Sequence, residues 1–144
     1  MSIPLKHLFH INASVDKVFK ALTNVNEMRN WYTTEISGES SIDQLINFKF
    51  GTIEFIVKVT ALEVNKKIVW ECVDTTMPFV GHTYTFDLDE SDAKTRILLT
   101  VLGFEEQNDT YANMNFSWGK YLESLRQYCQ KGLSEAFGSS GYRS

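Results

Sequence analysis

The spacing of hydrophobic positions changes twice along the 144-residue chain and divides it into three stretches. The first mixes a strand with short helices. Leu5 to Asn12 alternates loosely and predicts a strand. Ser14 then offers a hydroxyl to cap a helix, and Asp16 falls where the helix dipole favours an acid. Val15, Val18, Phe19 and Leu22 follow at the spacing of one helical face. Asn24 and Asn26 interrupt that stripe, and a second short helix is expected through Met28 to Tyr32.

From Glu35 the period becomes two. Glu35 to Ser40 and Ile46 to Phe50 read as strands, and Gly51 marks a bend before Ile53 to Glu63. In that third run Phe55, Val57, Val59 and Ala61 form a dry face against Glu54, Lys58 and Thr60, with Ile56 breaking the alternation. Asn65-Lys66-Lys67 is a turn, after which Ile68, Trp70 and Cys72 face one way. His82, Tyr84, Phe86 and Leu88 oppose Thr83, Thr85 and Asp87 in the clearest strand of the chain. Asp89 to Lys94 reads as a polar connection, and Thr95 to Phe104 as the last strand, with Ile97, Leu99 and Val101 inward. Such short connections imply an antiparallel meander and not parallel crossovers.

The third stretch is one long helix, opening on Asn108-Asp109-Thr110 and closing at Lys131 and Gly132. Met114, Trp118, Tyr121, Leu122, Leu125, Tyr128 and Cys129 share its apolar face. Asn115, Lys120, Glu123, Arg126, Gln127 and Gln130 lie opposite. An amphipathic sheet must cover one face, and this rod of about 30 Å is the only long cover. The fold class is therefore α+β: an antiparallel sheet wrapped around a long C-terminal helix, with two short helices after the first strand. Residues 1–132 are expected to form one domain, and 133–144, which hold Gly138-Ser139-Ser140-Gly141, a flexible tail.

Composition narrows the function. Ten Phe, six Tyr and three Trp imply a heavy core or a lined pocket. A net charge of −4 leaves no basic footprint for nucleic acid. No apolar run approaches the roughly 20 residues that span a bilayer, so no membrane insertion is expected. The first residues lack a signal-peptide pattern, and a cytoplasmic location follows as the expectation. Cys72 and Cys129 share no CxxC spacing and read as buried free thiols.

Ile11-Asn12-Ala13-Ser14-Val15-Asp16-Lys17-Val18-Phe19-Lys20-Ala21-Leu22-Thr23, followed by Met28 and Trp31-Tyr32, resembles the N-terminal signature of a known family. Lys67-Ile68-Val69-Trp70-Glu71, Thr95-Arg96-Ile97-Leu98-Leu99-Thr100 with Gly103-Phe104, and Trp118-Gly119 with Leu122 and Leu125 continue the likeness. The chain is similar to the SRPBCC (START-like, Bet v 1-like) superfamily, in the branch related to the activator of Hsp90 ATPase. The resemblance implies the helix-grip fold, a curved sheet around the last helix, and a deep apolar cavity for hydrophobic ligands. Val101 stands where relatives often carry an inward His.

Inner-face strand residues and the inward face of the long helix together give the candidate ligand-binding set. It comprises Trp31, Phe55, Val57, Trp70, His82, Tyr84, Phe86, Leu99, Val101, Met114, Trp118 and Leu122. The competing reading is that these side chains simply pack a core. His82 and Tyr84, two apart on one strand, face the same way and offer a polar handle in an apolar wall. A small hydrophobic ligand, aromatic or lipid-like, is the expected partner. A cyclase- or hydrolase-like enzyme using His82 or Tyr84, and a co-chaperone-like interaction module, are the alternatives.

No catalytic residue, metal or cofactor is assigned. His7 and His10 fall on opposite faces of their strand, so the three histidines cannot be expected to converge. Asp87, Asp89, Ser91 and Asp92 lack the glycine and closing glutamate of a calcium loop. Glu105 and Glu106 read as surface loop residues. Glycine-rich phosphate loops and GxSxG are absent.

Overall fold

The computed structural model describes residues 2–143. The elements run β1 (Leu5–Ile11), α1 (Val15–Thr23), α2 (Val25–Trp31), β2 (Glu35–Gly38), β3 (Leu45–Phe50), β4 (Ile53–Glu63), β5 (Lys67–Thr75), β6 (Thr83–Ser91), β7 (Lys94–Leu102) and α3 (Asp109–Lys131). The strands form one seven-stranded antiparallel sheet in the order β1-β7-β6-β5-β4-β3-β2. The meander from β2 to β7 keeps sequence order, while α1 and α2 carry the chain across so that β1 joins β7. The α+β helix-grip class expected from the sequence is what the chain adopts.

Local chemistry sets the helix ends. The Ser14 hydroxyl accepts from the Lys17 N–H at 3.4 Å to open α1. Asn24 does two jobs: its backbone N–H donates to the Lys20 carbonyl to close α1, and its side chain accepts from Glu27 N–H to open α2. The residue that breaks the apolar stripe is thus the hinge between two helices, and α2 starts earlier than expected. Asn108 accepts from Tyr111 N–H at 3.0 Å to open α3, and Gly132 closes it at φ 71°.

The core lies between the sheet and the helices. From the sheet come Ile46, Phe48, Val57, Val59, Ile68, Trp70, Phe86, Ile97, Leu99 and Val101, with Val18, Leu22, Met28, Trp31, Leu122 and Leu125 facing them from the helices. Ser124 is buried among these on α3, where its hydroxyl donates to the Trp31 carbonyl at 2.8 Å. The Trp31 indole N–H in turn donates to the Ala21 carbonyl at 2.7 Å. This chain of bonds ties all three helices together.

Two expectations need correction. The register of β4 against β5 slips between Val59 and Ala61, so Ala61 pairs with the outward Val69 while Leu62 pairs with the buried Ile68. A bulge at Thr60 has moved Ala61 off the dry face. The polar connection from Asp89 to Lys94 is much shorter than it reads. Ser91 pairs with Lys94, and the turn is Asp92-Ala93 alone, both with positive φ (54° and 62°), as a tight hairpin requires. Residues 133–143 lie against the rest of the domain. Thr33 bridges Phe137, and Ala136 is fully buried.

Candidate functional site

A cavity of about 230 Å³ opens between the first half of α3 and the β3–β6 part of the sheet. Asn113, Met114, Ser117, Trp118 and Tyr121 line it from α3, at the spacing of one helical face. Opposite stand Phe50 of β3, Ile53 and Phe55 of β4, Thr75 of β5 and Tyr84 of β6. Tyr32 comes from the end of α2, Met77 and Phe79 from the β5–β6 loop, and Phe137 and Tyr142 from the C-terminal segment. Tyr32, Phe55, Phe79, Tyr84 and Trp118 are buried and form the floor, whereas Ile53 and Asn113 are exposed at the rim.

Tyr32 is the hub of the aromatic wall. Its ring stacks on Trp31 at 5.1 Å and on Trp118 at 5.6 Å, and meets Phe48, Phe50 and Tyr121 edge-on at 4.9, 5.1 and 5.1 Å. Tyr84 adds a second phenol, edge-on to Phe55 at 5.2 Å and 5.9 Å from Trp118. Burial pushes both phenols well above their ordinary range, and neighbouring groups add to it: Tyr121, Tyr84 and Cys72 for Tyr32, and Cys72 for Tyr84. Both therefore stay protonated at neutral pH. Neither hydroxyl is engaged by a protein group among the described residues, so two neutral O–H groups are left in a largely apolar wall.

The rim is polar by contrast. Lys120 Nζ donates to the Tyr142 hydroxyl at 2.7 Å, and the Tyr121 hydroxyl lies 3.4 Å from the same oxygen. Burial raises the Tyr142 phenol, but the bonds with Lys120 and Tyr121 outweigh it and bring it below its ordinary value.

Of the twelve candidate residues, Phe55, Tyr84, Met114 and Trp118 line the cavity. Trp31, Val57, Trp70, Phe86, Leu99, Val101 and Leu122 are buried elsewhere in the core. His82 shares the inward face of β6 with Tyr84 but does not reach the cavity. Its ring is held between Phe79 at 5.2 Å and Phe104 at 4.7 Å, against Gly103. A Cβ on Gly103 would stand 2.2 Å from that ring, and φ there is 132°, so this contact takes a glycine. His82 Nδ1 has no partner, and burial lowers its pKa. Of the expected His–Tyr pair, Tyr84 lines the cavity and His82 does not, while Tyr32 lines it as well.

The cavity residues not anticipated have different origins. Tyr121 was on the right face of α3, three residues from Trp118, and Asn113 and Ser117 flank that face. Phe137 and Tyr142 left a signal too, as two aromatics in a Gly/Ser-rich segment. Thr75 ends β5, and Met77 and Phe79 belong to the following loop, which no periodicity describes.

A second, open depression on the outer sheet face is lined by His10, Asn12, Asp89, Ser91, Asp92, Lys94 and Arg96. Its charges are mixed and all seven residues are exposed. Among the described residues no three His, Cys, Asp or Glu side chains converge as metal ligands would, and no helix is long and apolar enough to cross a membrane.

The family model described as activator of Hsp90 ATPase homolog 1-like protein matches residues 12–130. The chain belongs to that family. The Aha1 dimer from Colwellia psychrerythraea, a solution structure, is 30% identical over 90% of this chain and 98% of its own, with a TM-score of 0.84. The Mll3558 protein from Rhizobium loti shares the fold at 19% identity and a TM-score of 0.74, covering 88% of this chain and 96% of its own. Protein SSP2350 from Staphylococcus saprophyticus does so at 18% and 0.75, covering 92% and 95%. No curated protein matches. Family and fold agree with an SRPBCC scaffold of the kind that commonly holds small ligands.

Proposed function

We propose that the protein binds one compact apolar molecule, aromatic in part and carrying a hydrogen-bonding group, in the cavity between α3 and the sheet. The observation that carries this reading is the pairing of an aromatic chamber with two neutral phenols, Tyr32 and Tyr84, that no protein group engages. Both residues line the chamber, so their free hydroxyls are available to a ligand's acceptor or donor. At about 230 Å³ the cavity lies below the roughly 300–1,000 Å³ of drug-sized pockets, which favours a molecule of one or two rings. Apolar burial supplies the affinity, at about 25 cal/mol per Å², and the phenols supply orientation.

The test is a fluorescence titration with N-phenyl-1-naphthylamine against the wild type and Ser117→Phe. Ser117 lines the cavity from α3. A phenyl ring there is expected to take up part of the chamber. The wild type should bind one equivalent, and Ser117→Phe should weaken binding by about tenfold or more, the effect of losing 1.4 kcal/mol. Equal affinity in the two proteins would refute the cavity as the site.

A further inference from the structure

The C-terminal segment is the part of the cavity wall that lies beyond the family match. The family match ends at residue 130, yet Phe137 and Tyr142 stand in the lining. Among the described residues beyond Gly132 there is no strand ladder and no helix, only the isolated Thr33–Phe137 bridge. The segment is fastened to the rest of the domain at three places, the first where the Ser134 hydroxyl donates to Asn30 Oδ1 at 3.1 Å. Near its middle, the Phe137 N–H donates to the Tyr32 carbonyl and the Thr34 N–H to the Phe137 carbonyl, each at 3.0 Å. At its end, Lys120 Nζ donates to the Tyr142 hydroxyl at 2.7 Å and lies 4.6 Å from that ring's centre.

The path between these points is built and not random. Gly138 has φ 91°, and a Cβ there would stand 2.4 Å from Thr34 Oγ1, so the segment turns past Thr34 only with glycine. Ser139 donates to Ala136, and Arg143 pairs with Glu135 at 3.0 Å; these contacts tie the segment to itself. The remaining walls sit mostly in long ladders or in the 23-residue α3. An element held by few bonds opens at far lower free energy than core strands do.

We infer that residues 133–143 form a latched strap that sets which molecules the cavity accepts. Phe137 and Tyr142 close over a compact ligand, and release of the Lys120–Tyr142 bond admits a larger apolar one. This rests on the cavity being the binding site, as proposed above.

The experiment uses the full chain as wild type, Tyr142→Phe and Phe137→Ala, with indole and N-phenyl-1-naphthylamine as small and large probes. Tyr142→Phe keeps the ring and removes the oxygen that Lys120 holds. Phe137→Ala keeps the backbone bonds and removes the ring from the wall. Native-state hydrogen exchange should show the Thr34 and Phe137 amides of Tyr142→Phe exchanging about tenfold faster than in the wild type, the loss expected for a hydrogen bond to a charged group, with β6 and β7 unchanged. In both variants binding should shift toward the larger probe, by about tenfold relative to indole. The strap is refuted if the Thr34 and Phe137 amides exchange only with β6 and β7 in every protein. It is refuted alone if both probes bind and their ratio stays within about twofold. If neither probe binds any of the three proteins, the binding reading fails and the strap's role with it.

Discussion

Two serines two helical turns apart on α3 should behave in opposite ways. Ser124 is buried, and its hydroxyl donates to the Trp31 carbonyl at 2.8 Å. That carbonyl ends α2, where no intrahelical donor reaches it. The bond fixes the approach of α2 to α3 and thereby the place of Tyr32, the next residue and the hub of the cavity wall. Ser124→Ala removes a hydrogen bond worth about 1 kcal/mol net and leaves a buried acceptor unpaired, which costs about 1–3 kcal/mol. A loss of about 2 kcal/mol is expected. At about 2–4 °C per kcal/mol for a chain of this size, Tm should fall by about 4–8 °C. Ser117 lines the cavity and its hydroxyl has no protein partner among the described residues. Ser117→Ala should stay within about 0.5 kcal/mol of the wild type. Urea unfolding at constant m-value measures both. If Ser124→Ala also stayed within about 0.5 kcal/mol, or the two variants cost the same, the three-helix clamp would be wrong.

Other expectations follow from groups held in uncommon states. Burial lowers the pKa of His82, so the folded protein favours the neutral ring. An unfolded His titrates near 6.5, so this stability is complete above that pH and is lost as the pH falls below it. His82→Gln should flatten the decline of the urea midpoint between about pH 7 and 5; an unchanged slope would place the acid sensitivity elsewhere. At the β6–β7 turn, Ala93 holds φ 62°. A left-handed Ala costs about 1–2 kcal/mol, against about 0.4–1 kcal/mol of added chain entropy for glycine, so Ala93→Gly should stabilise by roughly 1 kcal/mol. A loss of stability in urea unfolding would contradict that turn.

Strand parity and helical spacing made the faces legible but not the depth. His82, Tyr84, Phe86 and Leu88 are all inward, as alternation requires, yet only Tyr84 meets the cavity. Position along the strand decides this: His82 ends against Phe79 and Phe104, and Phe86 is capped by Trp70 at 5.0 Å. The same holds on α3. Met114 and Trp118 reach the open half, and Leu122 and Leu125 pack into the closed half. A bulge of one residue was enough to turn Ala61 outward, and no pattern of apolar residues announces a bulge. The strap was hidden by its composition. Glycine and serine suggest freedom, but Gly138 is there because the path past Thr34 leaves no room for a side chain.

The account turns on where a small apolar molecule goes. Methyl and indole NMR signals, followed while N-phenyl-1-naphthylamine is added to the full chain, decide it directly. Met77, Met114 and Trp118 line the cavity, whereas Leu8, Leu98 and Leu102 lie on the outer sheet face, with Leu8 paired to Leu98. Saturable shifts at the first three residues, with the leucines unmoved, are the expected result. Shifts confined to Leu8, Leu98 and Leu102 would place recognition on the outside of the sheet and contradict the cavity.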